Sequence, residues 1–535
     1  MDDLLVDQVP KLPVCSRNGQ FQPPGSNPEL FITGPCLSAD GPWFPIFVRT
    51  GPTLTLRGSL QNHPMNEGSL PSPERNGDIH DCVERYEAMR EQNAHFFFDV
   101  EEFELIIEHY LESNDSRRAE EVLGYAQQQH PDALDLKFCE AHVLMGLGKL
   151  NKALSVLDAI SKLEPFNVDV YLHKAGIYSQ LRNHHRGVEH YKRALALADE
   201  GLDDIHLDLA FEYENLEQFD LAIHSLQQAL EMNPENEAVL YELAYCYDLA
   251  EAHQSAITFF REFTNEHPYA FVAWYNLGNA LARMDRFEES VEALDYCLAI
   301  EERFTAAHFS KARNLLIQGS YQEAIDCYQE TIAVDGPQAI TFSYIGECYE
   351  KMDNYEQALI HYDQSIALDA NWVDAWIGRG VVRDMQDRLP EALKDLEKAI
   401  TLAPELGDAW YYLANVLARM DRPEEAFAAF VKMNKLEPDN LDGWLDHSDL
   451  LFRMKGAGPA VRKLREGEQV HQLNSRYRYR MASYLLQDGQ QQQGLLELEE
   501  ALMAEHAGHV LFLEHFPEAM QLPQVVHLLE LYRRK

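Results

Sequence analysis

Large, tiny and small positions recur along this chain at a fixed spacing. Residues 271–300 read FVAWYNLGNALARMDRFEESVEALDYCLAI, and residues 407–436 read GDAWYYLANVLARMDRPEEAFAAFVKMNKL. Both carry an Ala-Trp-Tyr step, a Leu-Ala-Arg-Met-Asp-Arg run and a Glu-Glu pair, and they lie 136 residues apart, four periods of 34. A period of this length predicts two-helix units that stack, each burying its apolar face against its neighbours.

With Phe271 as position 1, position 4 is large at Trp274, Phe342, Trp376, Trp410 and Trp444. Position 8 is tiny or small at Ala244, Gly278, Ala312, Gly346, Gly380, Ala414, Ser448 and Ala482. Position 20 is small at Ala222, Ala256, Ser290, Ala324, Ala358, Ala392, Ala426 and Ala460, and position 32 is often proline, as at Pro234, Pro268, Pro404 and Pro438. Small residues at positions 8 and 20 let two antiparallel helices approach closely, and larger ones fill the space around them. Proline after the second helix stops it. Asp285, Asp353, Asp387 and Asp421, each followed three residues later by Glu or its neighbour, are expected to cap the second helix as in a capping box.

These residues resemble the tetratricopeptide repeat family over about residues 100–508, as twelve repeats that start near 100, 134, 168, 203, 237, 271, 305, 339, 373, 407, 441 and 475. The resemblance implies an all-α fold, a right-handed α-solenoid of helix-turn-helix repeats. The whole chain is also similar to long bacterial arrays of this family that open near an acidic Phe-Phe-Asp segment and close with Phe-Pro-Glu, here Phe97-Phe98-Asp99 and Phe516-Pro517-Glu518. Residues 509–535, with Val525, Val526, Leu528, Leu529 and Leu531 on one side, are expected to form a single capping helix. Residues 1–90 hold twelve of the 24 prolines and show no persistent period, so they are read as a disordered segment outside the array, with Met65 or Met89 as an alternative start.

The formal net charge is −43, which opposes nucleic-acid and anionic-membrane binding and favours cationic partner segments. There is no long apolar run and no secretory leader pattern at Met1, so the expected location is the cytoplasm. The eight cysteines include no Cys-x-x-Cys, and Cys246, Cys297 and Cys348 sit at helix positions expected to be buried. His184-His185 lies at a turn with no third ligand at a suitable spacing and reads as solvated, and Arg476-Tyr477-Arg478-Tyr479-Arg480 reads as structural, because neighbours on a helix point in different directions. No cofactor or metal is expected. Phosphate-loop, dinucleotide, zinc-protease and nucleophile-elbow motifs are absent, and the repeats occupy the residues a catalytic core would need, so no enzyme activity is expected. Carboxylates on an open array are expected to be solvated and poorly placed for acid–base work.

In the family, positions 2, 5, 9, 12 and 13 of the first helix face the concave groove. Carried over, this implies Tyr275, Asn279 and Arg283 in repeat six and Tyr411, Asn415 and Arg419 in repeat ten, with Phe309 and Arg313 in repeat seven and Tyr241 in repeat five. Asn can bond an extended backbone, Arg can grip a carboxylate, and Tyr gives broad contact. The family's Lys-x-x-x-Asn carboxylate clamp is not matched, since Lys311 is followed by Leu315 and Lys174 by Tyr178, and an Asn ladder is absent because only Asn276 holds position 6. The expected function is a non-catalytic scaffold for a protein or peptide partner. The alternatives are a regulatory or substrate-recruiting subunit of an enzyme complex, and a self-associating array.

Overall fold

The computed structural model describes residues 73–92, 94–471 and 473–533. All regular elements among them are helices. From Val100 on they run as twelve pairs, with first helices starting at Val100, Asp135, Val168, Leu202, Glu237, Phe271, Thr305, Ala339, Val373, Gly407, Leu441 and Ser475, each within one residue of the sequence frame. None is long and apolar enough to cross a membrane. The chain divides into two compact units at Glu217/Gln218.

The described part of the first unit holds a helix Pro73–Glu91, repeats one to three and the first helix of repeat four, Leu202–Asn215. The helix Pro73–Glu91 corrects the expected boundary at residue 90. Cys82, Tyr86 and Met89, spaced to share one helix face, are buried against Phe98, Phe103, Ile106 and Tyr110. Tyr86 meets Phe98 and Tyr110 edge-on, at centroid distances of 6.4 and 6.3 Å. This helix covers the apolar face that the first repeat would otherwise expose. The remainder of the expected N-terminal segment, residues 1–72, lies outside the described residues.

The second unit holds the second helix of repeat four, Phe219–Met232, then repeats five to twelve and the C-terminal segment. Its frame rests on the small positions. A Cβ added at Gly278 would stand 2.8 Å from Leu294 Cγ, at Gly380 3.0 Å from Leu396 Cγ, and at Gly346 2.9 Å from the Tyr362 ring. The position-20 residues from Ala222 to Ala460 are all buried. Ser290, the one hydroxyl among them, donates to Gly278 O at 2.6 Å and accepts from Asn314 Nδ2 at 2.7 Å, so its polarity is satisfied inside the core.

The position-4 rings tie down the loop before them. Nε1 of Trp274, Trp376, Trp410 and Trp444 donates to the carbonyl six residues back, at 2.8 to 3.0 Å. The capping role expected of the aspartates is corrected. Asp285, Asp353, Asp387 and Asp421 have φ of 56° to 60° and close the first helix instead. In each case the next residue's N–H reaches the carbonyl five residues back, as Arg286 does to Leu281 at 3.0 Å, the Schellman pattern that a left-handed Asp tolerates. The second helix is held by the following arginine: Arg286 grips Glu289 through Nε and Nη2 at 2.7 Å, and Arg388 with Glu391 and Arg422 with Glu425 repeat the arrangement.

Repeat nine encloses an ion cluster that the sequence pattern did not reveal. Arg379 and Arg383 both bond Asp395, whose side chain is 3% exposed, and Arg379 also reaches Asp363. Beyond repeat twelve the single expected capping helix is broken into His509–His515, a 3-10 turn Pro517–Gln521 and Pro523–Arg533. Phe512, Ala519, Val525 and Leu529 are buried in one cluster with Tyr479, Ala482, Leu486 and Leu498 of repeat twelve. Pro517 and Pro523, each at the start of a new element, explain the breaks.

Two stability outcomes follow. Gly278→Ala should cost about 1–3 kcal/mol in urea unfolding, because backbone as well as Leu294 borders the site. Asp395→Ala should cost about 3–5 kcal/mol by removing the buried carboxylate that the two guanidiniums share, while an Arg379→Met, Arg383→Met, Asp395→Leu triple exchange should recover much of that loss.

Candidate functional site

In the second unit the first helices of neighbouring repeats touch one another, whereas the second helices, the C-terminal cap apart, approach each other less. The first helices therefore line the tighter, inner side of the stack, and their side chains are the candidate partner surface.

The residues expected there occupy a face on which most are already engaged within the chain. Tyr275 is corrected as a contact residue: it is 1% exposed, packs edge-on to Phe304 at 5.1 Å, and shares its hydroxyl with Asn279 and Ser310. Burial raises its pKa. Asn279 is half-buried beside it. Arg283 reaches back to Asp248 of repeat five at 2.9 Å. Repeat ten reproduces the arrangement. Tyr411 donates to Asp446 of repeat eleven at 2.9 Å and Asn415 to the same carboxylate at 3.4 Å. Arg419 reaches back to Asp384 and its carbonyl at 2.5 and 2.9 Å, and to Asp387 at 3.0 Å. Both stripes thus bond position 6 of the following repeat and position 12 of the preceding one, and hold neighbouring first helices in register. Tyr241 packs with Tyr275 and Trp274, and burial raises its pKa too. Phe309 lies edge-on to Tyr328 and Tyr344 at 5.4 and 5.5 Å, and Arg313 stands near Tyr328 and Glu347.

What the sequence reading missed is a group of carboxylates on the same face. Glu347 and Glu350 of repeat eight, both half-buried, and Asp374 of repeat nine, whose side chain keeps exposed surface, are all shifted upward by partial desolvation. Glu347 is raised further by its neighbours Glu350 and Asp374, against Lys351 and Arg313, which lower it. Tyr412 of repeat ten stands near both glutamates. Tyr362 donates to Glu350 at 2.9 Å across the space that Gly378 leaves empty, since a Cβ there would stand 2.3 Å from the ring. These acids were expected to be solvated. Their signal in sequence was phase: Glu347, Glu350 and Asp374 fall at positions 9, 12 and 2, all inward-facing.

The first unit carries similar groups. Glu104 is pushed up to about 7 by burial and by Asp135, Glu101 and Glu108. His142 and His173 meet through their Nε2 atoms at 2.9 Å, so one donates and the other accepts, and burial holds His142 down at about 3. His184 is not solvated as expected but pairs with buried Glu212 at 2.9 Å. In the second unit Arg476, Arg478 and Arg480 meet Asp442, Glu497 and Asp449, while Tyr477 and Tyr479 are buried, so that run is structural. Cys246, Cys297 and Cys348 are buried, the last two pushed up to about 12 by burial, which leaves them little thiolate at neutral pH.

Family models described as tetratricopeptide repeat match residues 168–200, 207–271, 275–340, 345–371 and 386–433. These segments carry tetratricopeptide repeats. It is 24% identical over 251 residues to anaphase-promoting complex subunit cut9 of Schizosaccharomyces pombe, a match that covers 44% of this chain and 36% of that protein. Among solved structures it is similar to the Cut9–Hcn1 hetero-tetramer, with TM-score 0.40 and 14% identity over 77% of this chain and 96% of that one. It is also similar to YrrB, titled a tetratricopeptide-repeat protein with an unusual peptide-binding site, with TM-score 0.28 and 20% identity over 34% of this chain and 95% of that one. MamA gives TM-score 0.28 and 18% identity over 32% and 94%.

The elevated Glu104 gives a signed pH effect. A carboxyl raised from 4.5 to about 7 on folding adds stability below pH 4.5 that is lost as pH rises through about 7. Glu104→Gln should therefore unfold at higher urea than wild type at pH 8, with the difference closing by about pH 4. Equal midpoints at both pH values would remove the assigned strain.

Proposed function

We propose that this chain is a non-catalytic scaffold that holds a protein or peptide partner along the first helices of repeats five to twelve, and that the segment bound there is cationic. The observation that carries this reading is the carboxylate group of half-buried Glu347 and Glu350 and exposed Asp374, whose pKa values are raised by desolvation. A carboxyl group whose ionisation is opposed by burial gains most from a Lys or Arg side chain placed beside it. The net charge of −43 would attract such a segment at long range. Tyr411, Asn415 and Arg419 border this face in the next repeat, and Asn279, Arg283, Tyr241, Phe309 and Arg313 extend it toward repeat five; in this reading they set its shape as well as its contacts. Arg419, at 44% side-chain exposure, offers the most accessible surface among the paired arginines Arg283 and Arg419.

A second reading draws on the match to a protein named as a complex subunit: the chain would recruit or regulate a catalytic partner. A catalytic polypeptide that co-purifies in fixed ratio distinguishes it from a free-standing adaptor. The six described cysteines, five of them buried, fit the reducing cytoplasm as the location for either role.

The test is fluorescence polarisation with a labelled Lys/Arg-rich peptide. Affinity should rise with pH above the ordinary carboxylate range as the raised carboxyls ionise. It should fall by about tenfold or more in Glu347→Gln/Glu350→Gln/Asp374→Asn, which also flattens the pH dependence. Unchanged affinity in that variant refutes the reading.

A further inference from the structure

We infer that the solvent face of the second helix of repeat three, His184–Leu195, is a second docking surface, and that its occupant is an Asp/Glu-rich protein segment. The inner face of the other unit is acidic; this surface has the opposite sign and stands apart from the function proposed above.

The charge balance first marks it. The chain as a whole has 45 Lys and Arg against 88 Asp and Glu, yet residues 170–198 hold Lys174, Arg182, Arg186, Lys192 and Arg193 against Glu189 alone. Arg182, His185, Arg186, Lys192 and Arg193 are exposed. No carboxylate among the described residues lies within ion-pair distance of Arg182, Arg186, Lys192 or Arg193, although Lys174 beside them is taken up by Asp158 at 2.7 Å. This contrasts with the Arg476–Arg480 run, where each arginine meets a carboxylate. In the other basic stretch, near residue 460, Lys463 is paired with Glu466 at 2.6 Å.

The cations are also held in place. Arg186 Nη1 donates to the Tyr178 hydroxyl at 2.9 Å with its guanidinium 5.3 Å from the ring centre. Arg193 stands 5.8 Å from the Tyr171 ring and Lys192 5.5 Å from that of Tyr213. Tyr178 is itself stacked on His190 at 5.2 Å and 2°. Rings that fix the stems lower the entropy lost when the charged ends engage a ligand. Arginine held this way retains donors for a bidentate carboxylate contact.

Spacing selects the occupant. Arg186 and Arg193 share one side of the helix about 10 Å apart at about 1.5 Å per residue, and Arg182 lies in the turn that precedes it. An extended chain carries side chains on one side about every 7 Å, so a segment with several acidic residues in succession sets a carboxylate beside each of these separated cations. One phosphate would require cations that converge on a point, and a nucleic acid would meet the repulsion of the rest of the chain.

The experiment uses the full chain and a fluorescein-labelled Asp/Glu peptide of about eight residues. Competitors are its Asn/Gln counterpart, a peptide with a single phosphoserine, and a short single-stranded oligonucleotide. The acidic peptide should bind in a salt-sensitive way. Arg182→Gln/Arg186→Gln/Lys192→Gln/Arg193→Gln should weaken it by about tenfold or more, and Glu347→Gln/Glu350→Gln/Asp374→Asn should leave it unweakened. Hydrogen exchange on the unaltered chain should show peptide-dependent protection within His184–Leu195, a readout that stands even where the fourfold variant fails to fold. Equal binding of the neutral peptide, tighter binding of the phosphopeptide or oligonucleotide, or protection confined to other helices overturns the proposal.

Discussion

The close approach of two helices at positions 8 and 20 is the constraint on which the rest of this structure depends. Where position 8 is glycine, the partner side chain from position 24 occupies the volume that a Cβ would fill: Leu294 over Gly278, Tyr362 over Gly346, Leu396 over Gly380. That contact sets the distance between the helices of a pair. Loop geometry follows from it, with the position-4 indoles reaching back to the preceding carbonyls and an Asp in the left-handed conformation turning the chain into the second helix. The caps at both ends of the described chain obey the same logic, since each buries an apolar face that has no further repeat to pack on.

Inward-facing polar residues divide into two kinds of work. Tyr-Asn pairs at positions 5 and 9 bond position 6 of the next repeat, Ser310 in one case and Asp446 in the other, and Arg at position 13 reaches Asp at position 12 of the repeat before. These are braces. Where the braces are missing, in repeats eight and nine, the same face carries carboxylates whose charge burial opposes. A stack that spends most of its polar residues on its own register leaves ligand recognition to the few positions not so used.

The fold was legible in the sequence because steric demands recur at a fixed period: twelve first helices start within a residue of the frame set by Trp274, Gly278 and Ser290. The capping assignment for Asp285 and its equivalents missed because Asp suits both an N-cap and a left-handed turn, and only the backbone distinguishes them. The helix Pro73–Glu91 was hidden because its three buried residues, Cys82, Tyr86 and Met89, stand among polar neighbours with no repeat to set their phase. At the site, phase put Tyr275, Asn279 and Arg283 on one helix face, but Tyr275 is buried against Phe304 and shares its hydroxyl with Ser310 of the following repeat. The raised pKa values of Glu347 and Glu350 likewise arise first from burial by the packed repeats, with Asp374 raising Glu347 further while the Tyr362 hydrogen bond acts to lower Glu350.

Photo-crosslinking tests the central claim, that a cationic segment lies along the inner face of repeats eight to ten, most directly. A Lys/Arg peptide carrying a photoreactive group is bound to the intact chain, irradiated, and the adducts are mapped by mass spectrometry. The account predicts adducts on the first helices Ala339–Lys351, Val373–Met385 and Gly407–Arg419. Adducts restricted to second helices, or spread evenly over the acidic surface, would contradict it.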